Sequence, residues 1–162
     1  MNNDYIAFAA DAKSGIMVNM KRIVMAFGSF EMLHPGHLLY LKKARSLGDK
    51  LIVVIARDKS IELIKHRTPV IKEKDRMLMV NSLKFVDKAV LGNAIRKTED
   101  KYLLLKKYKP STIALGYDQE ANEKEIRSWL KRNRIKAKVV RIRMSLNDSK
   151  YKSSKLIKSL GV

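Results

Sequence analysis

The stretch RIVMAFGSFEMLHPGHLLYL, Arg22 to Leu41, joins two different patterns across one short turn. Arg22 to Phe27 is an apolar run that stops at Gly28. Such a run, short and without alternation, reads as a strand covered on both faces, because a buried helix would need more residues. After His37 the apolar residues recur at helical spacing: Leu38, Leu41, Ala44 and Leu47. Lys42, Lys43 and Arg45 fall on other faces, and Gly48 suits a C-terminal stop. Between strand and helix lie His34 and His37, two of the three histidines in the chain, on either side of Pro35-Gly36.

The strand-then-helix unit repeats. LIVVIA (Leu51–Ala56), KAVL (Lys88–Leu91), TIALG (Thr112–Gly116) and KVVRI (Lys138–Ile142) are further short apolar runs. Helical patterns fill the gaps: Lys59 to Lys65, a segment from near Glu73 with Met77, Val80 and Leu83, EDKYLLLKKY before Pro110, and EANEKEIRSWLKRN. The last of these carries Ile126, Trp129 and Leu130 on one face, which assigns Trp129 to the core. SSKLIKSLG closes the chain, with Ser153 placed to cap a helix. Alternating strands and helices predict an α/β protein: a single Rossmann-like, doubly wound domain with a five-stranded parallel sheet. Five strands are too few for an eight-stranded barrel. Ligands of such sheets lie beyond the carboxyl ends of the strands, here Gly28–His37, Ala56–Asp58, Gly92–Asn93 and Gly116–Gln119.

At 162 residues the chain is one domain by length, with 46% hydrophobic and 31% charged residues. No apolar run approaches the roughly 18 residues of a membrane span. The absence of cysteine excludes disulfides and thiolate metal sites, and a reducing cytoplasm fits. A net charge of +19 favours polyanionic partners: nucleic acid bound without specificity, an anionic membrane or a phosphorylated substrate. A Lys-rich solvated surface explains most of that charge equally well. Residues 1–20 are nearly uncharged and lack a clear period. Asp4 precedes their short apolar stretch, so they do not read as a signal peptide. The expectation is an N-terminal extension or a start assigned too early, followed by the domain proper at 21–162, with a docked extra element as the alternative.

Gly36 allows a ligand close to the backbone, and a helix N-terminus supplies free N–H groups and partial positive charge. Imidazoles three residues apart at this junction can both turn towards one phosphate. A metal pair would need a third ligand, and no His or Glu cluster supplies one. An incidental pair of turn histidines is the competing reading.

GSFEMLHPGH resembles the Gly-Thr-Phe-Asp-x-x-His-x-Gly-His signature of the cytidylyltransferase-like nucleotidyltransferases. The longer run HPGHLLYLKKARSLGDKLIVVIARD is similar to archaeal FAD synthases and to their relatives, the glycerol-3-phosphate cytidylyltransferases. RTPVIKEKDRMLMV, VDKAVLG, IALGYDQ and SSKLIK follow in the family's order, so the resemblance covers about residues 21–162. It implies that His34 and His37 bind the nucleotide triphosphate and stabilise charge as pyrophosphate leaves. It places Ser29, Phe30, Pro35 and Gly36 against the nucleotide, and adds Asn93, Asp118, Ser153 and Ser154 as nucleotide contacts. Arg76 would meet phosphate. Each has a plainer alternative: Asp118 and Asn93 as turn residues, Ser153 as a helix cap, Arg76 as a solvated helix charge. The cluster Lys59, Lys65 and Arg67 could steer phosphates or face water. Tyr117 could stack on a base or pack at a strand end, and His66 reads as surface. Glu31 stands where the family has Asp, one methylene longer; if that carboxylate orders the loop, the change weakens catalytic efficiency more than the fold.

The resemblance implies FMN adenylyl transfer from ATP, with Mg²⁺ or another divalent ion held mainly through substrate phosphates. The cytidylyltransferase branch ends in an Arg-Thr-Glu-Gly-Ile-Ser-Thr-type segment, and this chain has DSKYKSSK instead. A cytidylyltransferase using CTP and a small phosphorylated alcohol is the alternative within the superfamily. A basic nucleic-acid-binding protein is the alternative outside it, although no recognition motif for that class is present. The reading leaves a homodimer open.

Overall fold

A computed structural model describes residues 21–94, 100 and 102–143. Residues 1–20 and 144–162 lie outside the described residues, so the expectations for the N-terminal segment, Ser153 and Ser154 do too.

The strands are β1 (Ile23–Gly28), β2 (Lys50–Ile55), β3 (Lys88–Leu91), β4 (Thr112–Gly116) and β5 (Lys138–Ile142). The helices are α1 (Pro35–Arg45), α2 (Asp58–Lys65), α3 (Glu73–Asn81), α4 (Leu103–Tyr108) and α5 (Glu123–Arg132). The strands form one five-stranded sheet in the order β3-β2-β1-β4-β5, every neighbouring pair parallel. The chain lays down β1, β2 and β3 in one direction, then returns to β1's other side for β4 and β5. The order therefore reverses between β1 and β4, the position where open α/β sheets bind ligands.

Period-two alternation sends side chains to opposite faces, and both faces are buried. Val24, Ala26, Leu51, Val53, Ile55 and Ala114 join Tyr40, Leu41 and Ala44 of α1 and Val80 of α3 in one core. Met25, Ile52, Val54, Ile113 and Leu115 join Leu105 and Tyr108 of α4 and Ile126, Trp129 and Leu130 of α5 in the other. Continuous apolar strands are thus what a sheet with two cores requires. Trp129 is buried, as its place on the α5 stripe predicts. The predicted α1 stripe is partly revised: Tyr40, Leu41 and Ala44 are buried, whereas Leu38 is only half-buried. Among the described residues no helix is long and apolar enough to cross a membrane.

β1 pairs with β2 along its whole length, from Ile23–Lys50 to Gly28–Ile55. With β4 it pairs only over Val24–Thr112, Met25–Ile113 and Ala26–Ala114. Beyond Ala26 the two strands part, and side chains span the split. The Tyr40 hydroxyl donates to Ala114 O at 2.9 Å and accepts from Phe27 N at 3.3 Å. The Gln119 side chain accepts from Gly116 N at 3.0 Å and donates to Phe27 O. Burial raises the Tyr40 hydroxyl's pKa far above its ordinary value, so it stays a neutral donor.

Candidate active site

The β1–α1 loop is shaped by Phe30. Its backbone sits in the left-handed region at φ 50°, uncommon for a residue with a Cβ, and its ring is buried beneath the loop. Gly28 makes room, because a Cβ there would lie 2.7 Å from the Phe30 ring. The ring meets His37 at 5.0 Å between centroids. Phe30 therefore supports the site through its side chain, beyond the backbone contact expected of it.

His34 is the N-cap of α1 in extended backbone, and its side chain makes no capping bond. Pro35 opens the helix, Gly36 is buried, and the first turn holds no acidic residue. Among the described residues no side chain caps the start of this 11-residue helix, and a helix N-terminus of that kind suits an anion. The His34 and His37 rings stack at 3.8 Å, with an interplanar angle of 26°. Nδ1 of each ring is buried and lacks a hydrogen-bond partner among the described residues. Burial lowers the His34 pKa, with Asp118 opposing. Burial, then the charge of His34, pushes the His37 pKa down to about 3; a Met32 backbone hydrogen bond opposes, and Lys65 adds to the fall. His37 is thus a neutral donor–acceptor at physiological pH, and the stacking discourages two positive charges.

Glu31 is fully buried, and one of its oxygens receives Lys65 Nζ at 2.6 Å and Arg67 Nη2 at 2.9 Å. Lys65 also donates to Ser29 Oγ at 3.3 Å. The longer carboxylate thus fastens the loop to the end of α2. Lys65 and Arg67 of the basic cluster meet through it, while Lys59 is exposed.

Arg76 requires a correction. It is neither a solvated helix charge nor placed as a phosphate contact, because its side chain is fully buried. It donates to Ile71 O at 2.9 Å, to Ser29 O, to Ala56 O at 2.8 Å and to Asp58 Oδ1 at 2.7 Å. The guanidinium therefore clasps the loops that follow β1 and β2. Arg57 does the same further out, donating to Gly92 O at 2.8 Å and to Glu73 Oε1 at 2.8 Å. Across the split, Arg141 of β5 holds the loop after β4 by donating to Gly116 O, Gln119 O and Ala121 O. That loop carries Asp118, which is exposed and within electrostatic reach of His34. Sequence reasoning missed Arg141 and Tyr40, and it bracketed Arg57 and Gln119 only within the loops Ala56–Asp58 and Gly116–Gln119. The one available signal was the placement of an Arg or Gln beside a strand's carboxyl end.

An open cavity of about 660 Å³ adjoins the histidine loop through Gly28 and Ser29. Phe27, Val54, Ile61, Leu105, Leu115 and Ile126 give it apolar walls, and Lys65 lines it as well. Its size is that of a site for a compact organic ligand, about 300–1,000 Å³. Asn93 lines it too, and donates to Asp100 O at 2.7 Å, so it also braces its own loop.

Comparison with known proteins agrees with this geometry. Residues 25–159 match the model of a family described as cytidylyltransferase-like. A FAD synthase of Aciduliprofundum boonei is 49% identical over 120 residues, which is 74% of this chain and 77% of that one. A FAD synthase of Methanocella arvoryzae is 45% identical over 140 residues, 86% of this chain and 94% of that one. A solved structure titled as a lipopolysaccharide core biosynthesis protein from Thermoplasma volcanium superposes with a TM-score of 0.71 at 38% identity, covering 78% of this chain and 99% of that one. Pantoate-beta-alanine ligase from Francisella tularensis, at 15% identity and a TM-score of 0.58 over 88% of this chain and 70% of that one, shares the fold. The chain belongs to the cytidylyltransferase-like family and is similar to FAD synthases over most of its length.

Proposed function

We propose that this chain is a FAD synthase, an FMN adenylyltransferase that moves AMP from ATP to FMN and releases pyrophosphate. The observation that carries the proposal is the pair of stacked, neutral histidines at the α1 N-terminus, on the loop whose Gly28 and Ser29 line an apolar cavity. The paired imidazoles and the free helix N–H groups suit a triphosphate. The cavity suits a flat acceptor, which the linear sequence could not reveal. A small phosphorylated alcohol would leave most of those apolar walls wet. Residues 21–162 are the proposed catalytic unit, and the family match over 25–159 supports it.

In the reaction, a phosphate oxygen of FMN attacks the α-phosphorus of ATP. The new O–Pα bond forms as the bond from Pα to the bridging oxygen breaks, and pyrophosphate carries away the electron pair. Catalysis then rests on positioning and on neutralising negative charge as it builds. His34 and His37 donate N–H groups to phosphate oxygens. Lys65, fixed by Glu31 and Ser29, brings a positive charge to the cavity wall on the histidine side. Asp118 and Asn93 stand at the carboxyl ends of β4 and β3, as nucleotide contacts in this reading.

Among the described residues no cluster of His, Asp and Glu side chains forms a metal site. Mg²⁺ wants an octahedron of oxygens, and imidazoles serve it poorly. A divalent ion would arrive on the triphosphate, held by phosphate oxygens and water, and would neutralise part of its charge. Incubating the protein with each nucleoside triphosphate and a panel of phosphorylated acceptors, then measuring pyrophosphate, tests the assignment. ATP with FMN is expected to lead. Faster turnover of CTP with glycerol 3-phosphate would replace it with the cytidylyltransferase reading.

A further inference from the structure

Helix α2 borders the cavity along one face, through Ser60, Ile61, Ile64 and Lys65. Ser60 pairs with Ile64, and Ile61 with Lys65, one helical turn apart. The character of this face changes along its length. Ser60 and Ile61 are buried, whereas Ile64 is 71% exposed. Lys65 comes next, held by Glu31 and Ser29. His66 then stops the helix in the left-handed region, its N–H bonded to Glu62 O at 2.9 Å. This wall of the cavity therefore ends in an aliphatic side chain, open on most of its surface, beside a fixed cation.

Leu63 supplies the comparison. It is 69% exposed on the same helix, yet it does not line the cavity. Single exposed aliphatic residues are ordinary on a protein surface, so exposure alone assigns a role to neither. Position separates them. Ile64 continues the apolar lining made by Phe27, Val54, Ile61 and Ile126. Leu63 lies about 100° away round the helix and continues nothing.

A ligand that fills the lining and reaches the open side of the cavity covers Ile64. Removing that apolar surface from water then stabilises the complex. Of the two substrates, FMN brings the larger apolar plane, three fused rings with two methyl groups, against the two nitrogen-rich rings of adenine. A small phosphorylated alcohol has no plane to lay there. We propose that Ile64 is a specificity-determining residue that packs on the isoalloxazine ring and so favours a flavin over a small phosphorylated acceptor. The inference rests on FMN being the acceptor substrate.

The test measures the Kd for FMN by flavin fluorescence, and KM for FMN and for ATP, in the unaltered protein, Ile64→Ala, Ile64→Leu and Leu63→Ala. Alanine removes three carbons from Ile64, each worth about fourfold when fully buried, and a ring covers only one side of them. Kd and KM for FMN should therefore rise about 5- to 30-fold in Ile64→Ala. Its KM for ATP and its kcat should stay within about 2-fold, and its Tm should hold because the side chain is exposed. Ile64→Leu keeps the apolar volume and should restore FMN binding. Leu63→Ala should bind FMN like the unaltered protein. Unchanged FMN affinity in Ile64→Ala, or equal weakening in Leu63→Ala, overturns the assignment of Ile64. So does a rise in KM for ATP in place of FMN, which would put the adenine there. A change of oligomeric state in Ile64→Ala on sedimentation also overturns it, since a second copy would then cover the residue. No FAD from ATP and FMN in the unaltered protein overturns the functional reading, and this inference with it.

Discussion

Replacing Arg76 with lysine keeps the charge and removes the fork, so it isolates what the fork does. The guanidinium uses four N–H groups on Ile71 O, Ser29 O, Ala56 O and Asp58 Oδ1, from a fully buried side chain. A lysine nitrogen is a single point, and it can reach one or two of these acceptors at once. At least two would be left buried without a donor, at about 1–3 kcal/mol each. The expected destabilisation is about 2–6 kcal/mol, the cost of two such groups. For a chain of this size that lowers Tm by about 4–24 °C. Because Ser29 and Ala56 hold the histidine loop and the cavity wall, kcat should also fall, by about 10-fold or more. Thermal unfolding without ligand, together with steady-state kinetics, measures both effects. A Tm within about 2 °C of the unaltered protein, with only KM for ATP raised, would refute the clasp and restore a phosphate contact.

His34→Ala and His37→Ala should each lower kcat by about 10²-fold or more, the scale of losing one electrostatic stabiliser, with the fold retained on thermal unfolding. Near-normal turnover in both would remove the histidines from catalysis. Glu31→Ala leaves Lys65 and Arg67 partly exposed and free to rehydrate. Denaturant unfolding should therefore show a loss of about 1–3 kcal/mol, below the full cost of a broken buried pair, and KM for FMN should rise as Lys65 loses its anchor. Unchanged stability and unchanged KM together would contradict that role. His37 has its pKa pushed down to about 3 by burial, against about 6.5 in an unfolded chain. Between those values the unfolded state binds more protons, so stability rises with pH across the window and this contribution is flat above it. The slope is up to about 1.4 kcal/mol per pH unit. His37→Gln should flatten that dependence below pH 6.5, and an identical pH profile in the variant would show that the imidazole is not held neutral.

The strands were legible because each is a short apolar run, and a strand buried on both faces leaves that mark. Predicted and observed bounds of β3, β4 and β5 coincide, and β1 and β2 differ by one residue at each end. The histidine loop was legible because Gly, Pro and His cluster only there. What stayed hidden depends on contacts between segments far apart in the chain. Arg76 looked like any charged helix residue, since nothing local says that three of its four acceptors lie 18 to 47 residues away. Glu31 looked like a weakened aspartate until Lys65 and Arg67 were found to meet it. The cavity draws on six different segments, and no linear motif could announce it. Tyr40 reads as one more aromatic on a helix, although its hydroxyl spans the split between β1 and β4.

The most direct test of the central claim is a competition in one vessel: the purified chain with Mg²⁺, equimolar ATP and CTP, and equimolar FMN and glycerol 3-phosphate, its products separated by chromatography. FAD is predicted to dominate, with an equal amount of pyrophosphate. A cytidylylated phosphoalcohol as the main product, or no nucleotide product at all, would contradict the account.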